Sequence, residues 1–303
     1  MTALLFAALV AAWGTTWFAI KLQLGPVPAE VSICYRFAVA AAVLWAGLWL
    51  TGRLRPVPAG RHGWIALMGV TLFGLNFILL YAATGYVASG IVSVLFSMAT
   101  VFNAFNQWLF LRRRPTPRAL LGAALGIAGI ALLFGEQLAH FEVNGATAAG
   151  IALGLAGTFS FSLGNLVSMR ATAGGPDLPN AVARGMTWSA AFLALYALAR
   201  GRTFVIDLSP SYLLSLAYLA VPGSVVGFLA YLSLVKRVGA DRAAYATVLF
   251  PVVALAVSTV FEGYVWTPSA VAGLPLVLLG NVVIFARLPS GVLFRRRTGL
   301  SVG

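Results

Sequence analysis

The sequence predicts an all-α membrane protein in which ten transmembrane helices form two five-helix repeats of inverted topology. Three observations predict it. Of 303 residues, 61 % are hydrophobic and only 9 % charged, whereas soluble domains carry roughly 25 % charged residues. Apolar windows long enough to cross a bilayer, about 20 residues rising ~1.5 Å each, recur along the chain. The second half also repeats the first at a nearly constant shift. One cysteine, Cys34, leaves no disulfide or cysteine metal site within the chain. The two histidines, His62 and His140, fall between windows, and no metal or other cofactor is expected.

The windows run at 3–21, 29–50, 63–83, 86–111, 118–135, 146–169, 178–199, 211–234, 239–261 and 268–287. The first enters apolar sequence directly (MTALLFAALVAAWG) without a basic n-region, so it reads as a span rather than a cleaved signal peptide. Gly25-Pro26-Val27-Pro28 breaks it from the second. Within the fourth, Gly90–Leu111 carries Ser93, Ser97, Thr100 and Gln107 at helical spacing, with Asn103 at the margin. In a bilayer such a stripe faces protein or water, as helix glue or as a path. Pro115-Thr116-Pro117 and Thr267-Pro268 open the fifth and tenth, where the missing N–H of proline costs nothing. Gly122, Gly126 and Gly129 in the fifth, and Gly150, Gly154 and Gly157 in the sixth, have small-xxx-small spacing. That spacing predicts close helix approach, within or between subunits. In the ninth, Pro251 removes a backbone bond and predicts a kink.

Charge orients the set. With the N-terminus cytoplasmic, the inner loops and tail hold fifteen Lys and Arg residues and the outer loops three, Lys21, Arg200 and Arg202. This positive-inside asymmetry places both termini in the cytoplasm of a multi-pass inner (plasma) membrane protein. The net charge of +13 is thus topological, and nucleic acid is not an expected partner. The expected partners are a small-molecule solute and the lipid bilayer, which the basic tail Arg295-Arg296-Arg297 would touch. A monomer suffices, with an oligomer left open.

Self-comparison supports a duplication. A shift of 151 pairs Phe77 with Phe228, Val101 with Val252, and Thr116-Pro117, Gly122 and Gly129 with Thr267-Pro268, Gly273 and Gly280. A shift of 148 pairs Trp13 with Phe161 and Arg36 with Arg184. Each half has an odd number of spans, so the halves enter the membrane in opposite orientation. Such inverted repeats recur in secondary transporters, with the substrate site near the midplane. The expected domains are a repeat over 1–137, a second over 146–287, and a tail over 288–303.

Trp13-Gly14-Thr15, Tyr35-Arg36-Phe37, Pro251-Val252, Phe261-Glu262-Gly263 and the paired glycines resemble the EamA-type members of the drug/metabolite transporter superfamily. The resemblance covers residues 1–287. It implies a ten-helix inverted-repeat carrier that exports small metabolites by alternating access, and it looks most like exporters of aromatic and other amino acids. The chain departs from the family pattern at Thr100, where proline is frequent, and at Arg112-Arg113, where Gly-Glu is common.

Arg36 and Arg184 are the charged residues well inside windows. Each either snorkels to backbone carbonyls near a helix end or serves as a gate contact or carboxylate-binding charge, with Glu30 and Asp177 as ion-pair partners. No Asp or Glu sits at the middle of a window, which speaks against a proton-coupled pump of lipophilic cations. Candidate substrate-binding residues are therefore polar and aromatic: Trp13, Trp17, Asn76, Leu80, Ser97, Thr100, Phe161, Asn165, Trp188 and Tyr245. Pro251 joins the two arginines as a gate candidate. Interhelical glue is the competing role for the Ser, Thr and Asn residues, at ~0.6–2 kcal/mol each. In the second half the stripe positions Ser93, Ser97, Thr100 and Gln107 become Ala244, Val248, Pro251 and Ser258. A stripe in one half only points to an asymmetric substrate path.

An integral membrane enzyme finds no HExxH and no paired intramembrane carboxylates to work with, so no catalytic residue is expected. A nucleotide-sugar or organophosphate carrier is the alternative within transport, and it would want several cavity Lys or Arg residues.

Overall fold

The computed structural model describes residues 2–112, 114–133, 145–173, 177–231 and 245–285. These residues are helical throughout apart from turns and connections, with no strand among them. We label the helices α1 Thr2–Lys21, α2 Ala29–Leu50, α3 Ala59–Thr84, α4 Ser89–Leu111, α5 Pro117–Leu133, α6 Gly145–Thr172, α7 Leu178–Ala199, α8 Pro210–Tyr231, α9 Tyr245–Phe261 and α10 Pro268–Phe285. Helices α2, α3, α4, α6, α7 and α8 are long and apolar enough to cross a membrane. Three further apolar segments, in α5, α9 and α10, are shorter within the described residues. The helices coincide with the apolar windows to within about one turn at their described ends, as expected where length and composition set the helix. The basic tail, Glu136, His140 and Glu142 lie outside the described residues.

Counterparts under the sequence repeat pack on each other. Helix α2 lies along α7, and α5 lies along α10. The α5–α10 crossing brings backbone against backbone. A Cβ on Gly129 would sit 2.7 Å from the Gly273 carbonyl oxygen, one on Gly273 2.6 Å from that of Gly129, and one on Gly280 2.6 Å from that of Gly122. The small-residue spacing therefore acts within the chain. The glycines of α6 do the same toward α3 and α4: a Cβ on Gly154 would lie 2.7 Å from Leu95, and one on Gly157 2.9 Å from Leu80.

Two helices widen into π turns at matching places, Gly69–Leu75 in α3 and Leu219–Val226 in α8. In α8, Pro222 inside the segment supplies no N–H, which interrupts the ordinary ladder. Helix α4 tightens at Ser97–Met98, where the Ser97 hydroxyl donates to the Val94 carbonyl (2.6 Å). Pro251 lies within a continuous α9. Gly52, Gly201 and Gly263 end α2, α7 and α9 at φ 64°, 66° and 67°, a left-handed turn that glycine adopts without a Cβ clash. Arg112, the repeat counterpart of Gly263, ends α4 at φ 53°.

Many polar links join the helix ends where α1, α3, α7 and α9 finish. Lys21 donates to the Thr84 carbonyl (2.8 Å), Tyr81 to Gln23 (3.0 Å), and Arg202 to Glu30 (2.8 Å). Ser32 and Tyr212 share a bond of 2.9 Å. The Glu262 carboxylate accepts from the Ser89 N–H (3.0 Å), from Ser258 (2.8 Å) and from the Ser89 hydroxyl, tying α9 to the start of α4. That carboxylate faces orphan N–H groups at a helix start, a favourable electrostatic match.

Candidate binding cavity

A narrow cavity lies between α1, α2, α3, α4, α6, α8 and α9. Its walls are Trp13, Thr16, Trp17, Ile20, Arg36, Phe77, Leu80, Phe96, Phe161, Gly223, Phe228 and Phe250, and it encloses about 40 Å³. A water needs roughly 10–15 Å³, so the space holds only a few waters. The aromatic rings contact one another around it: Trp13 with Phe228 (5.1 Å between centroids) and Phe250 (5.5 Å), Trp17 with Phe96 (5.1 Å), and Phe96 with Phe161 (4.6 Å). Edge and tilted contacts of this kind fix ring orientation beyond simple area burial.

Arg36 is the charged residue of this wall and is only 2 % exposed. Its Nε donates to the Ser224 hydroxyl (3.0 Å), which itself donates to the Leu219 carbonyl (2.8 Å). The π turn of α8 thus holds the hydroxyl that holds the arginine. The guanidinium carbon stands 4.3 Å from the Phe77 ring centre, a cation–π contact, and the Tyr81 hydroxyl lies beside it. Nη1 is buried without a hydrogen-bond partner among the described residues. The same is true of the Trp17 indole nitrogen. A buried donor left unpaired costs roughly 1–3 kcal/mol, more when charged. Trp13 differs, since its indole N–H donates to the Gly223 carbonyl (3.0 Å).

Of the residues expected from sequence, the cavity collects Trp13, Trp17, Leu80, Phe161 and Arg36. The others lie elsewhere. Asn76 is buried beside the cavity-lining Phe77 but is not in the wall, and its amide has no partner among the described residues. Ser97 bonds its own helix, and Thr100 donates to the Ser97 carbonyl (3.3 Å) and to Asn281 of α10. Asn165 donates to Asn103 (3.5 Å), next to bonds from Asn106 to Ser162 and from Ser162 to Asn103 (each 2.8 Å). The α4 stripe therefore spends much of its polarity on its own carbonyls and on neighbouring helices. Trp188 is 46 % exposed on the outside of the bundle, the setting of an interfacial or lipid-facing ring. The Tyr245 side chain lies outside the described residues.

Arg184 does not reach the cavity. It donates to the Asn180 carbonyl (3.0 Å) and the Arg55 carbonyl (2.9 Å), with Trp45 4.8 Å from its guanidinium. Neither expected ion pair forms. Glu30 accepts from Arg202, and Asp177 accepts from Asn180 (3.3 Å). Arg202 sits on the connection beside the start of α2, closer to Glu30 than the inward-pointing Arg36. The wall also contains Thr16, Ile20, Phe77, Phe96, Gly223, Phe228 and Phe250, which a search for polar groups passes over. The repeat already pairs Phe77 with Phe228 and Trp13 with Phe161, and all four line the cavity. Symmetry was the usable signal.

The model of the EamA-like transporter family matches residues 1–135 and again 148–286. The uncharacterized inner membrane transporter YedA of Escherichia coli is 28 % identical over 284 residues, covering 92 % of this chain and 87 % of its own. A probable terminal-alkyne amino-acid exporter of Streptantibioticus cattleyicolor is 26 % identical, covering 97 % and 95 %. A probable amino-acid metabolite efflux pump of Salmonella typhimurium is 27 % identical, covering 89 % and 90 %. One solved crystal structure superposes with a TM-score of 0.65 at 18 % identity, covering 93 % of this chain and 96 % of that one. It shares the fold. With both halves of the helical bundle matched by one model, this integral membrane protein belongs to the EamA-like transporter family.

Proposed function

We propose that the protein is a secondary transporter exporting small neutral or zwitterionic metabolites, amino acids with apolar side chains foremost, across the inner membrane. The observation that carries this reading is a single buried guanidinium, Arg36, with its Nη1 unpaired among the described residues, in the mainly apolar and aromatic wall of a cavity between the repeats. A carboxylate would satisfy that N–H in a charge-assisted bond, and the rings would take an apolar side chain. The names of relatives from Streptantibioticus and Salmonella support the substrate class.

The ten apolar windows of the sequence, read as two inverted halves, support alternating access, with both termini cytoplasmic by the positive-inside count. On that topology the dense links around Glu262, Lys21 and Tyr81 close the outer side. On the inner side a groove of about 470 Å³ runs between α2 and α8, past Arg53, Arg55 and Val225. The π turns of α3 and α8 flank the cavity and suit local rearrangement. An organophosphate carrier fits less well, because Arg36 is the one cation in the described wall.

Proteoliposomes loaded with labelled amino acids, nucleosides or sugar phosphates, with and without a pH gradient, test the proposal. Amino-acid flux indifferent to the gradient supports it. Strict dependence on the gradient overturns the uncoupled part, and flux of phosphorylated solutes alone overturns the substrate class.

A further inference from the structure

The charge of the cavity wall is one-sided, with Arg36 and no anion among its described residues. Arg36 Nη1 and Trp17 Nε1 are donors without partners among the described residues, and both belong to cavity-lining side chains. The Thr16 hydroxyl donates its hydrogen to the Trp13 carbonyl (2.8 Å) and the Gly223 carbonyl accepts from Trp13, so what these two oxygens have left is neutral acceptor capacity. No Asp or Glu lines the described wall. The groups facing Arg36 are Ser224, Tyr81, Phe37 and Phe77, none of them anionic. Two donors and no free anionic acceptor define a site for an oxyanion, and the surrounding rings define the body that goes with it.

An amino acid brings a carboxylate that this site meets with a cation, and an ammonium that it meets with neutral acceptors only. Aromatic faces offer an ammonium some cation–π attraction, but the Phe77 face is already under Arg36. A charged amine entering this wall gives up its hydration without a salt-bridge partner. We propose that the carrier's preferred solutes are apolar monocarboxylates whose amine is capped or missing, such as N-acylated or deaminated aromatic amino acids. This rests on the reading of Arg36 as the carboxylate site of a carrier and replaces the neutral or zwitterionic solute of that reading with a monoanion. Such solutes carry a net negative charge, so the flux is electrogenic, and an inside-negative potential drives their exit. Export then needs no titrating membrane carboxylate.

The test compares efflux of labelled phenylalanine, N-acetylphenylalanine and phenylethylamine from proteoliposomes, with and without an inside-negative potassium–valinomycin potential. N-acetylphenylalanine is expected to show a KM at or below that of phenylalanine and an efflux that rises with the potential. Phenylethylamine is expected not to move. Arg36→Gln should lower N-acetylphenylalanine flux by about tenfold or more, the scale of a lost charged hydrogen bond. Trp17→Phe, which keeps an aromatic ring but removes the indole N–H together with the pyrrole part of the ring, should raise its KM by about three- to tenfold. Phenylalanine carried while N-acetylphenylalanine is excluded, or carried only with a much higher KM, overturns this inference and leaves the amino-acid reading standing. Failure of both carboxylates, or transport of phenylethylamine alone, overturns both.

Discussion

Arg36 and Arg184 occupy equivalent positions in the two repeats, yet one faces the cavity and the other a helix end. Their surroundings explain the divergence. Arg36 meets Ser224, whose hydroxyl accepts its Nε from the π turn of α8. Under the repeat, the counterpart of Ser224 is Phe73 in the π turn of α3, fully buried and unable to accept a bond. Arg184 instead turns to the carbonyls of Asn180 and Arg55. A serine in one π turn and a phenylalanine in the other accompany the buried and the outer copy of the duplicated arginine. A symmetric scaffold thus gives a single charged site.

The comparison can be broken at several levels. The largest effect is expected at the arginines. Arg36→Gln should reduce flux by about 30-fold, or ~2 kcal/mol, the scale of a lost charge-assisted hydrogen bond. Arg184→Gln should change it less than about twofold, since exposed links of that kind contribute little.

Where the halves are alike, the effects should be alike. Gly129→Ala and Gly273→Ala each push a Cβ onto the other's carbonyl, so each should cost ~1–3 kcal/mol. Thermal unfolding in detergent would measure both. Unequal losses would show that the α5–α10 crossing is not symmetric in energy.

Ser224→Ala leaves Arg36 Nε without its acceptor, for a loss of ~1 kcal/mol, or about fivefold in KM. Unchanged KM would remove Ser224 from the positioning of the arginine. The smallest effect is a gain. Arg112 holds a left-handed φ where its counterpart is Gly263, so Arg112→Gly should stabilise by ~0.5–1 kcal/mol, seen as a higher unfolding temperature.

Much of the fold is legible in the sequence because bilayer thickness and backbone satisfaction leave helices of fixed length. The paired glycines of α5 and α10 were legible for the same reason, since only small residues let backbones touch. The site was legible in part. Of the residues that line the cavity, Arg36 is marked in the sequence by its charge, Trp13, Trp17 and Phe161 by their rings, and Leu80 only by sharing a helix face with Asn76. The α4 stripe misled because a hydroxyl in a helix can satisfy itself on a carbonyl one turn back, as Ser97 does on Val94. Polarity within a span therefore does not by itself mark a path. Phe96 and Phe250 carry no mark in the sequence that separates them from exposed phenylalanines such as Phe105 and Phe110.

The central claim is that Arg36 alone of the pair recognises the carboxylate of a transported solute. Efflux of labelled phenylalanine from proteoliposomes of wild type, Arg36→Gln and Arg184→Gln, matched for folded protein by size-exclusion profile, tests it most directly. Loss of flux in Arg36→Gln and near wild-type flux in Arg184→Gln are expected. Wild-type flux in Arg36→Gln, or an equal loss in both variants, would contradict it.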